Sequence, residues 1–261
     1  MIRPRGSSVD VDAYLHRIHY QGPVTPDAAA LRALHVAHLE AIPFENLDIH
    51  LGRPIVLEEH ALFDKIVRRR RGGFCYELNG LFSALLRELG FRVTRLSAGV
   101  MRADGGFGPD FDHMTLLVDL DDRWLADVGF GDSFREPLRL DEPGEQVQEG
   151  RIYRVRHDGR SGTMVRSGEG APGTGYRFSF QPRHLTDYLG MCHFHQTSPE
   201  SPFTRRRICS RLTPAGRITL SDLRLIVTEH GERRERLLTE EEWSRALSGH
   251  FGLDPAELAS T

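Results

Sequence analysis

The spacing of apolar residues changes at Gly90, and that change constrains the fold more than any other feature. Before it, the repeats are helical. Val11, Tyr14, Leu15 and Ile18 follow i, i+3, i+4, i+7 spacing, with Asp10 available as a cap. Thr25-Pro26 predicts the opening of a second helix that runs to about Ile42, before Pro43. Leu62, Phe63, Ile66 and Val67 mark a third helix that ends in Arg68-Arg69-Arg70-Arg71. Leu78, Leu81, Phe82, Leu85, Leu86 and Leu89 mark a fourth, with Gly90 where a C-terminal glycine belongs.

After Gly90 the period moves toward two. Strands are expected at Phe91–Met101, His113–Leu120, Arg123–Phe130, Arg151–Arg156 and Tyr176–Gln181. The glycine-rich stretch 158–175 predicts a hairpin and a mobile loop, and Pro182–Gly190 a short helix. In the tail, Ile208–Leu212 with Arg217–Leu220 and Leu223–Thr228 with Arg233–Leu238 predict two hairpins. Thr239-Glu240-Glu241-Glu242 is a capping box opening a last helix through Trp243 and Leu247. The expected organisation is residues 1–90 helical, 91–200 β and 201–261 a small α/β tail, without repeats or a long linker.

At 261 residues the chain is long enough to bury a core without disulfides or a structural metal. Its 39% apolar and 27% charged residues fit a globular protein. No apolar run approaches the ~18 residues of a membrane helix. Three scattered cysteines make no disulfide framework, and no apolar stretch follows Met1–Ser8 as in a signal peptide, so a cytoplasmic protein is expected. Thirty-four basic against 37 acidic residues give a net charge of -3 and no general case for nucleic acid. The arginine run 68–71 is a phosphate-binding patch or, more simply, the solvated end of a helix.

Cys75 carries the strongest chemical signal. It follows Arg71-Gly72-Gly73-Phe74 and opens the fourth helix. There a thiol faces unpaired backbone N–H groups and the positive end of the helix dipole, both of which favour thiolate. Glu77 opposes that effect and Arg71 offsets Glu77. The alternative is an inert buried cysteine.

A nucleophilic cysteine needs a base and an orienting group. His113 opens the strand His113-Met114-Thr115-Leu116-Leu117-Val118, and Asp127 lies in the next, Trp124-Leu125-Ala126-Asp127-Val128. A carboxylate in so apolar a strand needs a partner. A two-residue loop at Asp121-Asp122 would put Asp127 opposite Leu116, on the face away from His113. A five-residue loop, Asp119 to Arg123, or an equivalent bulge would put it opposite Thr115 and diagonal to His113, ~7–8 Å away between Cα atoms. A one-residue slip therefore decides whether the two side chains can meet.

Together these residues resemble the arylamine N-acetyltransferase family. The matching motifs are Arg71-Gly72-Gly73-Phe74-Cys75-Tyr76-Glu77-Leu78-Asn79, His113 with its apolar strand, and Asp127-Val128-Gly129-Phe130-Gly131. Ile42-Pro43-Phe44-Glu45-Asn46-Leu47 upstream and His195-Gln196-Thr197-Ser198-Pro199, with Ser201 and Phe203, downstream are also family-like. The resemblance runs from about residue 10 to 250. It implies an α+β fold with an N-terminal helical bundle, a central antiparallel β-barrel, a C-terminal α/β lid and a cysteine-protease-like catalytic core. It further implies ping-pong transfer of acetyl from acetyl-CoA, through acetyl-Cys75, to an aromatic amine or hydrazine. Cys75, His113 and Asp127 would be catalytic, with the Tyr76 backbone N–H as an oxyanion donor.

Gly105-Gly106-Phe107-Gly108 and His230 are the expected cofactor contacts, although the glycine run is equally a plain hairpin turn. By the same resemblance Phe44, Phe130 and Phe203 are the expected walls for an aromatic acceptor, although each judged alone reads as plain core. Cys192, His193 and His195 match no standard zinc spacing, so no metal is expected. A monomer or homodimer is expected, with no nucleic-acid or membrane partner. Three other readings compete. One is an amide synthase of the same family that closes macrolactams. The others are a papain- or transglutaminase-like cysteine hydrolase and a catalytically dead binding protein.

Overall fold

The computed structural model describes residues 9–168 and 171–259. Met1–Ser8, read above for a leader, and residues 169–170, at the tip of the expected mobile loop, lie outside the described residues.

The helical region contains α1 (Val11–Arg17), α2 (Ala28–Ala41), a two-residue strand β1 (Phe44–Glu45), α3 (Leu47–His50), α4 (Glu59–Phe63) and α5 (Cys75–Glu88). Asp10 caps α1 as expected, accepting from Ala13 N–H. The cap of α2 is Asp27, not Thr25: its Oδ1 accepts from Ala30 N–H at 2.8 Å. Asp27 stands next to the apolar run and can reach the first-turn donors, so Pro26 falls before the helix. α4 passes directly into a single π turn, Asp64–Arg68. Every residue of α5 from Cys75 to Leu86 is buried, so the apolar face seen in the sequence belongs to a helix enclosed on all sides. Gly90 ends it at φ +91°, a left-handed conformation that favours glycine.

Eight antiparallel strands follow: β2 (Arg92–Val100), β3 (His113–Asp119), β4 (Arg123–Ala126), β5 (Leu138–Arg139), β6 (Gln146–Gln148), β7 (Arg151–His157), β8 (Ser161–Gly168) and β9 (Ala171–Arg183). Their order is β5-β4-β3-β2-β9-β8-β7-β6, a nearly closed barrel around Leu96, Leu125, Tyr153, Met164 and Phe178. β9 absorbs Pro182, expected to start a helix. A register shift between Leu96 and Ala98 lets the proline pair where its missing N–H is tolerated.

Glutamine amides close the gap between the edge strands. Gln146 accepts from Arg139 N–H and donates to Arg139 C=O, each at 2.8 Å. Gln148 accepts from the N–H groups of Arg135 and Glu136 at 2.9 Å and donates to Glu136 C=O at 2.8 Å. These side chains stand in for a missing strand-to-strand ladder.

A 3₁₀ turn (Leu185–Tyr188), α6 (Leu189–Thr197) and α7 (Pro202–Arg205) lead into β10 (Ile208–Thr213), β11 (Gly216–Ser221), β12 (Arg224–Glu229) and β13 (Glu232–Leu237), then α8 (Glu240–Phe251) and α9 (Pro255–Ala259). The two expected hairpins form one meander, to whose edge β1 adds through Phe44↔Ser210 and Glu45↔Cys209. A strand from the helical region is therefore part of the C-terminal sheet. The Thr239 box closes as expected: Thr239 N–H donates to Glu242 and Glu242 N–H to Thr239 Oγ1. No helix among the described residues is long and apolar enough to cross a membrane.

Replacing Gln148 by Leu should cost about 1–2 kcal/mol in urea unfolding. It should speed amide exchange at Arg135 and Glu136 while Arg139, held by Gln146, stays protected. Unchanged exchange at both would show that the barrel closes without this amide.

Candidate active site

The start of α5 rests on buried charge. Arg71 Nη2 lies 2.8 Å from Glu45 Oε1 and 2.9 Å from Asp48 Oδ1. Lys65 Nζ lies 2.7 Å from both Asp48 Oδ2 and Glu77 Oε1. Glu77 Oε2 accepts from Phe74 N–H at 3.1 Å, and Glu45 Oε2 from Leu47 N–H at 2.8 Å. Two cations and three carboxylates thus knit β1, α3, the π turn and α5 together. Such buried pairs add little net stability, because desolvation offsets their attraction, but breaking one leaves an uncompensated charge. They therefore fix geometry.

Two expectations change here. Arg71 is not part of a solvated run: Arg68, Arg69 and Arg70 are exposed and Arg71 is 1% exposed. Glu77 and Arg71 also do not set the state of Cys75, since each is neutralised by its own partners.

Cys75 is the first residue of α5 and is buried. Burial pushes its thiol well above the ordinary value, and the nearby Asp127 charge adds to that, against a backbone hydrogen bond from Met114. The expected bias toward thiolate is thus reversed for the isolated group, because desolvation outweighs the helix N-terminus.

The register of β3 and β4 decides where Asp127 lies. Asp119 pairs with Arg123 and Leu116 with Ala126. Three residues, 120–122, stand outside the pairing. The loop is shorter than five residues, yet the register is the one that sets Asp127 opposite Thr115 and on the face of His113. His113 Nε2 lies 2.6 Å from Asp127 Oδ2. Phe130 and Tyr176, with ring centroids 5.0 and 5.1 Å away, pack the imidazole.

Asp127 is 1% exposed. Its Oδ1 accepts from Asn79 Nδ2 at 2.8 Å and Gly129 N–H at 3.0 Å. Burial opposes its charge, but His113 and these donors outweigh burial and hold the carboxyl below the usual range. Asn79 also donates to Met114 C=O and accepts from Val128 N–H, so one side chain of α5 ties down β3 and the segment after β4. Gly129 brings the strand end against the helix. A Cβ there would stand 2.8 Å from Cys75 Cα and 2.9 Å from its carbonyl oxygen.

β4 ends at Ala126 rather than at the expected Phe130, and His35 of α2 takes over. Asp127 N–H donates to His35 Nε2 at 3.1 Å, and His35 Nδ1 donates to Arg135 C=O at 2.8 Å. That pattern is the neutral ring with its hydrogen on Nδ1. Burial lowers the His35 pKa to about 4. Sequence reasoning missed this residue. The available signal was a histidine inside the apolar face formed by Leu31, Leu34 and Leu39.

A cavity of about 560 Å³ opens on Cys75 and His113. Phe44, Phe130 and Phe203 all line it. The expected cofactor contacts do not. Arg102 N–H donates to Gly106 C=O and Gly105 N–H to Arg102 C=O, so Gly105, Gly106, Phe107 and Gly108 form a tight turn. Val100, Met101 and Arg102 reach the cavity instead. His230 sits at the exposed β12–β13 turn, away from the cavity wall. The Tyr76 hydroxyl donates to Phe111 C=O at 2.6 Å and anchors the loop before His113. Its backbone N–H belongs to the first turn of α5, where N–H groups lack helical partners. Of the three residues weighed as metal ligands, Cys192 is buried against Gln196, His193 is exposed and His195 lines the cavity.

The chain matches the N-acetyltransferase family model over residues 27–258. It is 37% identical over 260 residues to the arylamine N-acetyltransferase of Mycolicibacterium smegmatis, covering 97% of this chain and 94% of that protein. It is 33% identical over 257 residues to proansamycin X synthase of Amycolatopsis mediterranei, covering 93% and 98%. The solved structure of Mycobacterium marinum arylamine N-acetyltransferase in complex with CoA superposes with a TM-score of 0.89 at 33% identity, covering 96% of this chain and 95% of that one. With that fold, and with Cys75, His113 and the carboxylate-bound imidazole on one cavity, the chain belongs to the arylamine N-acetyltransferase family.

Proposed function

We propose that this protein transfers acetyl from acetyl-CoA to the nitrogen of an aromatic amine or hydrazine, through acetyl-Cys75. The observation that supports the reading is the 2.6 Å contact between His113 Nε2 and Asp127 Oδ2 beside Cys75. With Nε2 committed to the carboxylate, Nδ1 is the nitrogen left to exchange a proton with sulfur. Burial makes a lone thiolate unfavourable, so the charge forms only as an ion pair, as the Cys75 proton moves to His113.

The thiolate attacks the thioester carbonyl of acetyl-CoA. The carbon–sulfur bond to CoA breaks, and His113 returns its proton to the departing thiolate. An amine then attacks acetyl-Cys75, its proton passes to His113, and Cys75 leaves as thiolate. In both steps a negative oxygen develops on the carbonyl, for which the Tyr76 N–H is the proposed donor. Asp127 keeps the imidazole in the useful tautomer and stabilises its cation. Phe44, Phe130 and Phe203 give a flat aromatic acceptor its walls. Arg102 and Arg166, also on the cavity, offer charge to the CoA phosphates. Amide synthesis on a carrier-bound acyl chain is the second reading, favoured by the near full-length likeness to proansamycin X synthase.

Intact mass after mixing with acetyl-CoA and no amine should rise by one acetyl group, and Cys75→Ala should show no gain. An aniline should discharge the adduct. No adduct, with Cys75 still alkylated rapidly by iodoacetamide, would move the donor to another acyl carrier. Asp127→Asn should slow acylation by about 10³–10⁴, the scale of losing the orienting carboxylate in such a triad.

His35 acts through Asp127 as a positioning residue, and its burial carries a pH signature. Folded His35 stays neutral down to about pH 4, whereas the unfolded ring protonates near pH 6.5. Its contribution is complete above about pH 6.5 and falls away toward pH 4, on the order of 3 kcal/mol in all. His35→Gln should flatten the loss of stability across that window in urea titrations and slow acylation at pH 7 about tenfold. An unchanged slope would mean that other groups govern acid unfolding.

A further inference from the structure

A second histidine–carboxylate pair lies on the wall of the same cavity. His195, on α6, is 3% exposed. Its Nδ1 is 3.1 Å from Ser201 Oγ, and its Nε2 is 3.3 Å from Asp112 Oδ1. Ser201 Oγ accepts from Phe203 N–H and has its own hydrogen to give to His195 Nδ1, while the Asp112 carboxylate beside Nε2 favours the ring hydrogen there. The neutral ring then carries its hydrogen on Nε2. That N–H approaches Asp112 Oδ1 without lining up on it, so among the described residues Nε2 makes no well-formed hydrogen bond. Asp112 holds Val100 N–H on its other oxygen, Oδ2, at 3.2 Å.

The ring cannot easily turn to find a partner. It stacks on Tyr76 at 6.1 Å and takes the edge of Phe203 at 5.1 Å. The result is one N–H donor beside one carboxylate acceptor, on the same cavity as Phe44, Phe203 and Ile208, whose lining also carries Arg102, Asp132 and Arg166. A buried donor left unsatisfied is rare and costly, and a ligand group that completes it gains what the free protein lacks.

We propose that His195 and Asp112 select the acceptor by holding a ring substituent that accepts one hydrogen bond and donates another, such as a phenolic hydroxyl or a carboxamide. The inference rests on the acetyl-transfer reading and assigns the substrate class of that site. His195 donates through Nε2–H to the substituent's oxygen. The substituent donates to Asp112 Oδ1. Neither residue takes part in bond making.

The test uses 4-aminophenol, 4-anisidine and 4-toluidine, whose amino groups differ little in basicity. Acetylation of Cys75 by acetyl-CoA is recorded first, by intact mass. In the unmutated protein, kcat/KM for aminophenol should exceed that for anisidine about tenfold, because the methyl ether cannot donate to Asp112. His195→Phe keeps the ring contacts and should lower the aminophenol-to-toluidine ratio about tenfold relative to the unmutated protein. Equal values for aminophenol and anisidine in the unmutated protein would overturn the assignment, whatever the variant does. So would an unchanged ratio in His195→Phe, or a variant whose KM rises for acetyl-CoA alone, which would give the pair to the donor. Failure of Cys75 to acetylate defeats the acetyl-transfer reading and this one with it. Normal acetylation without the selectivity defeats only this one.

Discussion

A single carboxylate organises the centre of the molecule. Asp127 is charged and almost fully buried, a state that is prohibitive unless every oxygen finds a donor. His113, Asn79 and the Gly129 N–H supply those donors, and His35 receives the N–H of the same residue. These partners come from β3, α5, α2 and the segment after β4. Satisfying Asp127 therefore requires the helical region and the barrel to dock in one arrangement, and that arrangement brings Gly129 against the backbone of Cys75. The polar network specifies position, while the packing around it provides most of the cohesion.

The second buried network does the same for the other side of α5. Glu45, Asp48, Lys65, Arg71 and Glu77 are all within the protein, and their bonds bind the segment before Cys75 to β1. β1 in turn is the edge of the C-terminal sheet. The cavity is thus walled by all three parts of the chain: Phe44 from the first, Phe130 from the barrel, Phe203 and Ile208 from the third. A thiol held here is shielded from water and meets reactants only through the cavity. The same shielding raises its pKa, which makes the neighbouring imidazole necessary for any thiolate chemistry.

Local signals carried far along this chain. The periods of 3.6 and 2 separated helices from strands at Gly90, and the Asp10 and Thr239 caps fell where side-chain chemistry puts them. The differences arose from a nearer cap in one place and from long-range partners in others. Thr25 lost the α2 cap to Asp27, which lies nearer the first-turn donors. β4 was expected to reach Phe130, but the chain leaves the sheet at Asp127 because a helix histidine takes its N–H. Arg71 looked like the end of a solvated run, and only the fold shows two carboxylates waiting for it. The glycines of 105–108, read as a ligand contact or a hairpin turn, do form a turn.

The sequence by itself determined the order of helical, β and mixed regions, the placement of Cys75 at a helix start, and the two side chains, His113 and Asp127, proposed to serve it. These are written in nearest-neighbour terms: period, capping chemistry and the cost of an isolated carboxylate in an apolar strand. Tertiary structure alone decided that Asp119 pairs with Arg123, which puts Asp127 on the face of His113. It also decided that Asn79 holds that carboxylate while His35 takes the backbone N–H of the same residue, and that His195 lies beside Asp112 on the cavity wall. The docking contacts join residues 35 to 92 positions apart, and the register turns on a one-residue choice between adjacent pairings of β3 and β4 that their local sequence leaves open.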